Sequence, residues 1–301
     1  MRRRIRESSD GDGGPIAMSS FVTPGDYRES LVVDGRTRTY LLHVPSGYTG
    51  TVPLPLILAF HGYGGNGERM ADVTQLSPFA DTEHFIVVYP DGFEKSWNHG
   101  DGNRPAVAAN IADAKFVRTL IGELEKKLAI DKEKIFAAGF SNGALMTQRL
   151  GCELADVLAG IAPVSGSLPQ TLASSCKPAK PISFHLIYGI VDPLSPYNGG
   201  ALKSDGGSVL SAKDTLAFWA GVNGCSAPKD EILPLAVNDG TAVIQTTYQC
   251  EKADTVLYAI EGGGHAWPPH EGAFSRIAGK SSKNIDATKV IWEFFKAHPR
   301  K

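Results

Sequence analysis

The segment Gly139-Phe140-Ser141-Asn142-Gly143 joins an apolar strand-like run to a helical pattern, and no other stretch restricts the folding of this chain as tightly. A glycine at each end removes the side chains that would block a sharp strand-to-helix turn and a close approach of helix to strand. Upstream, Lys134 to Ala138 is the short apolar run expected of a buried parallel strand, while Asp131-Lys132-Glu133 before it reads as a loop. Downstream, Ala144, Leu145, Gln148, Leu150 and Leu154 allow a helix with one buried face. A serine strained outward on such a turn, beside helix N-terminal amides, is a device for nucleophilic attack; the plainer alternative is a Gly-Ser turn without chemistry.

Around this elbow, strand-like and helix-like segments alternate. Arg38–Val44 alternates like an edge strand, Leu54–Phe60 is a continuous apolar run fit for a central one, and Phe85–Tyr89 is another. Ile111–Leu128 carries Val117, Leu120, Ile121, Leu124 and Leu128 at a helical period, with Lys126 and Lys127 near its C-terminus. Further strands are expected at Leu158–Val164, Ile182–Tyr188, Ala242–Gln249 and Val256–Ile260, and helices at Ser208–Val222 and Ile285–Phe295. Such alternation predicts an α/β fold with a mostly parallel sheet covered by helices on both faces.

A reactive serine needs a base, and the base needs an orienting acid. In folds built on this kind of elbow the chain order is serine, acid, histidine. The histidines after Ser141 are His185, His265, His270 and His298. His185 lies inside a predicted buried strand and His298 in a charged terminal segment. His265, in the loop Glu261-Gly262-Gly263-Gly264-His265-Ala266-Trp267-Pro268 directly after a strand, is the expected base, with His270 the fallback. Asp192, the first carboxylate past the strand ending at Tyr188, is the expected acid, ahead of Asp205 and Asp254. The oxyanion donors are the main-chain N–H groups of Asn142 and of Tyr63, the latter in the loop His61-Gly62-Tyr63-Gly64-Gly65-Asn66-Gly67. His61 precedes the serine and reads as a loop-stabilising residue.

The same loop holds G-x-G-x-x-G at Gly62, Gly64 and Gly67, with Asp91 ending the next strand, as in a dinucleotide site. Pro78 argues against a helix presenting its N-terminus to a pyrophosphate, and the nucleotide reading leaves Ser141, Asp192 and His265 unexplained. Metal chemistry finds no H-E-x-x-H and no Cys/His cluster at ligand spacing, so neither a metal nor a cofactor is expected.

A formal charge of −2 over 301 residues gives no basic field for nucleic acid or anionic membranes, and no apolar stretch is long enough to cross a bilayer. Residues 1–20 read as a disordered tail with a basic start but no apolar h-region of a signal peptide, followed by one domain over 21–301. The four cysteines lack C-x-x-C spacing. Cys225 follows a helix-like run and Cys250 ends a strand-like one, which favours that pair and leaves Cys152 with Cys176; disulfides would place the chain outside the cytoplasm, whereas the alternative is four buried thiols.

Taken together, FHGYGGNG, VVYPDG with Ser96-Trp97-Asn98, GFSNGALMTQRLGCELADVLAGIAPVSG, the run Asp192–Gly200 and GGGHAWP resemble the secreted α/β-hydrolase esterases that include polyhydroxybutyrate depolymerase-like, feruloyl and acetylxylan esterases. The resemblance spans most of residues 35–297 and departs where Tyr188-Gly189 stands in place of a usual His-Gly. It implies an α/β-hydrolase fold, secretion, and an acyl-enzyme mechanism with Ser141 as nucleophile, Asp192 as acid and His265 as base. The expected substrate is a small or polymer-linked ester, first an aromatic feruloyl-type ester, then a polyhydroxybutyrate oligomer or acetylxylan. Trp97 and Trp267, with Tyr63, are candidate walls for the acyl group, against the alternative that tryptophans serve the core. Rival functions are an acyltransferase and a non-catalytic polymer-binding module on the same fold.

Overall fold

Continuous apolar runs lack a polar face to turn to water, and in the computed structural model they pair with one another in the middle of a single sheet. The structure describes residues 6–7, 23–203, 206–271 and 275–300. The expected tail at 1–20 lies outside the described residues apart from Arg6–Glu7, which pair in parallel with Tyr27 and Arg28. Among the described residues the main sheet has eleven strands. Across it run Arg6–Glu7, Gly25–Val33, Arg36–Val44, Ile86–Pro90, Leu54–Phe60, Ile130–Phe140, Gly160–Val164, Ser183–Gly189, Thr255–Glu261, Ala242–Tyr248 and Pro228–Ile232. The strands from Ile86–Pro90 to Thr255–Glu261 are mutually parallel, and antiparallel strands flank them on each side.

Helices cover both faces. Asp113–Lys127, Asn142–Glu153 and Ala212–Asn223 pack Leu120, Leu150 and Trp219 into one core, while Gly67–Thr74, Leu76–Glu83 and Ala287–Ala297 pack Met70, Leu76 and Phe295 into the other. Phe295 stacks on Phe136 with ring centroids 4.4 Å apart, and Trp292 stacks on Phe85 at 4.3 Å, which fastens the last helix to the sheet. Disulfides join Cys152 to Cys176 and Cys225 to Cys250, the pairing favoured from sequence. Each closes a loop of 24 or 25 residues, worth about 3.5 kcal/mol in the chain-entropy account.

Several local expectations are corrected. Arg36–Val44 is not an edge strand, because Gly25–Val33 pairs along its outer side. Asp131-Lys132-Glu133 belongs to the strand Ile130–Phe140; its loop-like polarity reflects an irregular register in which Leu54 pairs with Ile130 but Leu56 with Ile135. Ser208–Val209 is a short strand, and the helix expected there begins only at Ala212, where the Ser211 hydroxyl caps it by accepting from Asp214 N–H. The helix after the elbow is buried nearly all round rather than on one face. Pro78 does not prevent a helix either: it sits in the first turn of Leu76–Glu83, where a missing N–H breaks no intrahelical bond.

Candidate active site

Ser141 follows the strand Ile130–Phe140 and adopts φ 56° and ψ −119°, a conformation rarely held outside glycine and kept only where surroundings enforce it. Three contacts enforce it here. Ser141 N–H donates to Val164 C=O at 3.0 Å, and the Ser141 carbonyl accepts from Ala144 and Leu145 N–H at 2.8 and 3.1 Å, so the turn passes directly into the helix. A Cβ on Gly139 would stand 2.2 Å from the Gly143 carbonyl oxygen, and one on Gly143 would stand 2.1 Å from that of Phe60. Both positions of the elbow therefore exclude any side chain.

On the other flank, close glycine contact brings two strand ends together. A Cβ on Gly189 would lie 2.2 Å from the Gly264 carbonyl oxygen, so the loops carrying Asp192 and His265 meet this closely only because residue 189 is a glycine. Asp192 Oδ1 accepts the Leu194 and Ser195 N–H groups at 2.8 and 2.9 Å, and Oδ2 lies 2.7 Å from His265 Nδ1. A carboxylate only accepts, which assigns the proton to Nδ1 and leaves Nε2 of the neutral ring as an acceptor. Phe140 lies beside the imidazole, ring centroids 5.0 Å apart. Ser141 and His265 both line one cavity of about 500 Å3, together with Tyr63, Phe140, Asn142, Leu145 and Trp267.

The loop from His61 closes the opposite side. Gly62 comes within contact of the serine, since a Cβ there would stand 3.3 Å from Ser141 Cβ. His61 donates through Nδ1 to Gly62 C=O at 2.8 Å and accepts the Gly92 N–H at Nε2 at 2.9 Å, so both ring nitrogens serve the loop. Burial lowers its pKa below the ordinary value, consistent with the neutral tautomer this pattern requires. Gly64 N–H donates to Lys95 C=O and Gly65 N–H to Gly62 C=O, whereas Tyr63 and Asn142 N–H find no partner among the described residues.

The fate of the other candidates is equally definite. His270 lines the cavity without a carboxylate partner among the described residues. His298 takes Asp254 at 2.8 Å, removing both from the search, and Asp205 lies outside the described residues. Asp91 is not poised for a ribose: its Oδ1 accepts Gly67 N–H at the start of the helix Gly67–Thr74, and Oδ2 accepts from Thr39 and Arg28. Trp267 lines the cavity while its indole N–H is held by Thr288 Oγ1 at 3.0 Å. Trp97 is a correction. It is fully buried, stands behind the residues that line the cavity rather than among them, and its ring packs edge-on against Phe60, so no acyl group can lie against it. Sequence reasoning also missed Phe140, Leu145 and Arg104 at the cavity; Arg104 covers the Tyr63 ring at 3.6 Å, and nothing in its local sequence signals that contact.

Known proteins resemble this chain in sequence and in fold. Residues 51–215 match the phospholipase/carboxylesterase family. A putative esterase, NocK, from Nocardia uniformis subsp. tsuyamanensis is 32% identical over 79% of this chain and 73% of its own. Feruloyl esterase B from Piromyces equi is 30% identical over 76% of this chain, which spans only 42% of that longer protein. Among solved structures, an acetyl xylan esterase from Aspergillus awamori superposes with a TM-score of 0.55 at 16% identity, covering 80% of this chain and 93% of its own, a likeness of fold. With more than half of its length matched and its elbow, sheet order and cavity arranged as described, the chain belongs to the phospholipase/carboxylesterase family of α/β-hydrolases and is a serine carboxylic ester hydrolase.

Proposed function

We propose that Ser141, His265 and Asp192 are the catalytic triad of an esterase acting on aromatic, feruloyl-type esters of plant polymers. The observation that carries the triad is the 2.7 Å bond from His265 to a fully buried Asp192 at the cavity that also holds Ser141. Ser141 Oγ attacks the ester carbonyl while His265 Nε2 takes its proton, the alcohol leaves with that proton, and water repeats the sequence on the acyl-enzyme. Asp192 holds the tautomer and stabilises the imidazolium. The Asn142 and Tyr63 N–H groups receive the oxyanion of each tetrahedral intermediate.

The size and lining of the cavity support an aromatic acyl group. Phe140, Leu145, Tyr63 and Trp267 offer apolar and aromatic faces, and a volume of about 500 Å3 lies within the usual range for a small-molecule site. An acetyl group would leave most of it unfilled. The name of the Piromyces relative points the same way. Residues 21–301 act as one catalytic domain in this reading, because a single sheet draws its strands from Gly25 to Glu261 and the last helix packs on it. The paired cysteines support an extracytoplasmic location.

Hydrolysis of methyl ferulate, hydroxybutyrate oligomers and acetylxylan by the parent protein and by Ser141→Ala tests both parts. The parent is expected to favour methyl ferulate in kcat/KM, and Ser141→Ala to lose ~10^4-fold or more on whichever ester is cut. Retained activity in the variant removes the triad; a preference for either of the other esters removes the substrate assignment. Failure of a fluorophosphonate to label the parent would instead point to a non-catalytic polymer-binding module.

A further inference from the structure

Trp97 makes two hydrogen bonds that meet on either side of the serine. Its indole N–H donates to His61 C=O at 2.9 Å, and its main-chain N–H donates to Asn142 Oδ1 at 2.8 Å. His61 opens the loop that carries Tyr63, and Asn142 directly follows the serine. We infer that Trp97 and the side chain of Asn142 are positioning residues that hold the two oxyanion donors at a fixed separation, an inference that rests on the triad and oxyanion reading above.

The rigidity of the clamp comes from what stands behind it. Asn98 N–H donates to Asp113 Oδ2 at 2.8 Å, Asn98 Nδ2 donates to Ile111 C=O at 2.9 Å, and Asn98 C=O accepts from Arg149 at 2.8 Å. Asp113 is fully buried and pairs with Arg38 at 2.7 Å, while Arg38 also reaches the Asp91 carbonyl and covers the Phe116 ring at 4.1 Å. The segment 97–98 is thus anchored to the helix Asp113–Lys127 on one side and grips the two cavity loops on the other. Trp97 is fully buried, and the close packing of a protein interior resists its drifting with the loops.

Asn142 carries a second indication. With Oδ1 committed to Trp97, its Nδ2 is buried without a partner among the described residues, a defect that an apolar residue would avoid. The side chain is therefore kept for its acceptor. Losing that acceptor leaves the Trp97 main-chain N–H unpaired and frees the first residue of the helix Asn142–Glu153, whose own N–H is an oxyanion donor.

Trp97→Phe keeps an aromatic ring at the site and removes the indole N–H; Asn142→Ala preserves the main-chain N–H and removes the acceptor. Both are assayed on p-nitrophenyl acetate and methyl ferulate, with competent sites counted by end-point fluorophosphonate titration. The expected result is a fall in kcat per titrated site of about 10- to 100-fold, below the ~100- to 1000-fold of an abolished oxyanion donor, with KM nearly unchanged. Affinity for a boronate that mimics the tetrahedral intermediate falls in parallel with kcat. A merely structural role lowers the melting temperature and the number of titrated sites, and leaves kcat per site alone. Parent-like kcat per site in both variants, beside an inactive Ser141→Ala, overturns the clamp and spares the triad; an active Ser141→Ala overturns the reading beneath it. If Trp97→Phe does not fold, Asn142→Ala decides the question.

Discussion

Two glycine-rich loops flank Ser141, each follows a parallel strand, and each carries a buried histidine, yet their imidazoles are wired for opposite ends. In the loop 61–67 both ring nitrogens of His61 are spent on main-chain groups, Gly62 C=O and Gly92 N–H. In the loop 261–265 the His265 ring spends one nitrogen on Asp192 and lines the cavity together with the serine. Burial does not separate them, since both are more than nine-tenths buried. What separates them is the partner: a carboxylate can stabilise a positive imidazolium during proton transfer, while an acceptor role toward Gly92 N–H is lost as soon as the ring is protonated. A histidine serves as a base only where its second nitrogen is free and its charged form is provided for.

Removing His265 or altering its partner is the most forceful way to break this contrast. His265→Ala and Asp192→Asn are each expected to lower kcat by ~10^3- to 10^4-fold, Asp192→Asn because the amide turns the ring to the wrong tautomer. Melting temperatures should move far less for His265→Ala than for a change at the His61 loop. Steady-state kinetics and thermal denaturation of the same preparations test this. Full activity in Asp192→Asn would show that the carboxylate only packs.

The residues of this contrast were legible in the sequence to unequal degrees. Ser141, Asp192 and His265 stand at the carboxyl ends of continuous apolar runs, and the reading that placed them needed only strand positions and chain order. The α/β alternation was legible for the same reason, because buried parallel strands carry an unmixed apolar signal. Gly25–Val33 escaped because Asp26, Arg28 and Glu29 break its pattern on a flank of the sheet, where their side chains reach partners across it: Asp26 bonds His43 and Arg28 bonds Asp91. The difference between Trp97 and Trp267 was not legible at all. Both are large, buried and close to a cavity loop, yet only Trp267 lines the cavity; Trp97 packs beside Arg38, whose pair with Asp113 joins residues far apart in the chain.

The next test reverses the perturbation. His61→Phe keeps an aromatic ring beside Trp97 but leaves the Gly92 N–H without its acceptor, a loss of about 1–3 kcal/mol in stability if no water replaces it. Activity should fall by roughly 10-fold through the misplaced Tyr63 donor, far less than in His265→Ala. Chemical denaturation with activity measured per folded molecule checks both. A variant as inactive as His265→Ala at parental stability would exchange the roles assigned to the two histidines.

The smallest expected effect concerns protons on histidines that the reaction does not use. Burial lowers the pKa of His61, and it lowers that of His185, which is packed between Tyr258 and Phe294 with no hydrogen bond to its ring among the described residues, from 6.5 to about 3. For both rings the unfolded chain takes up protons near pH 6.5 while the folded chain does not. Their stabilising contribution is therefore complete above that pH and declines as pH falls, by up to about 1.4 kcal/mol per pH unit for each ring. His185→Phe removes one of the two and should flatten the dependence of unfolding free energy on pH between 6.5 and 4 by up to that amount, with kcat unchanged, because His185 lies outside the lining of the Ser141 cavity. Identical slopes in parent and variant would mean that His185 meets water in the folded state. A loss of kcat would instead couple His185 to the Ser141 cavity, and the contrast between the two cavity loops would then no longer account for the chemistry alone.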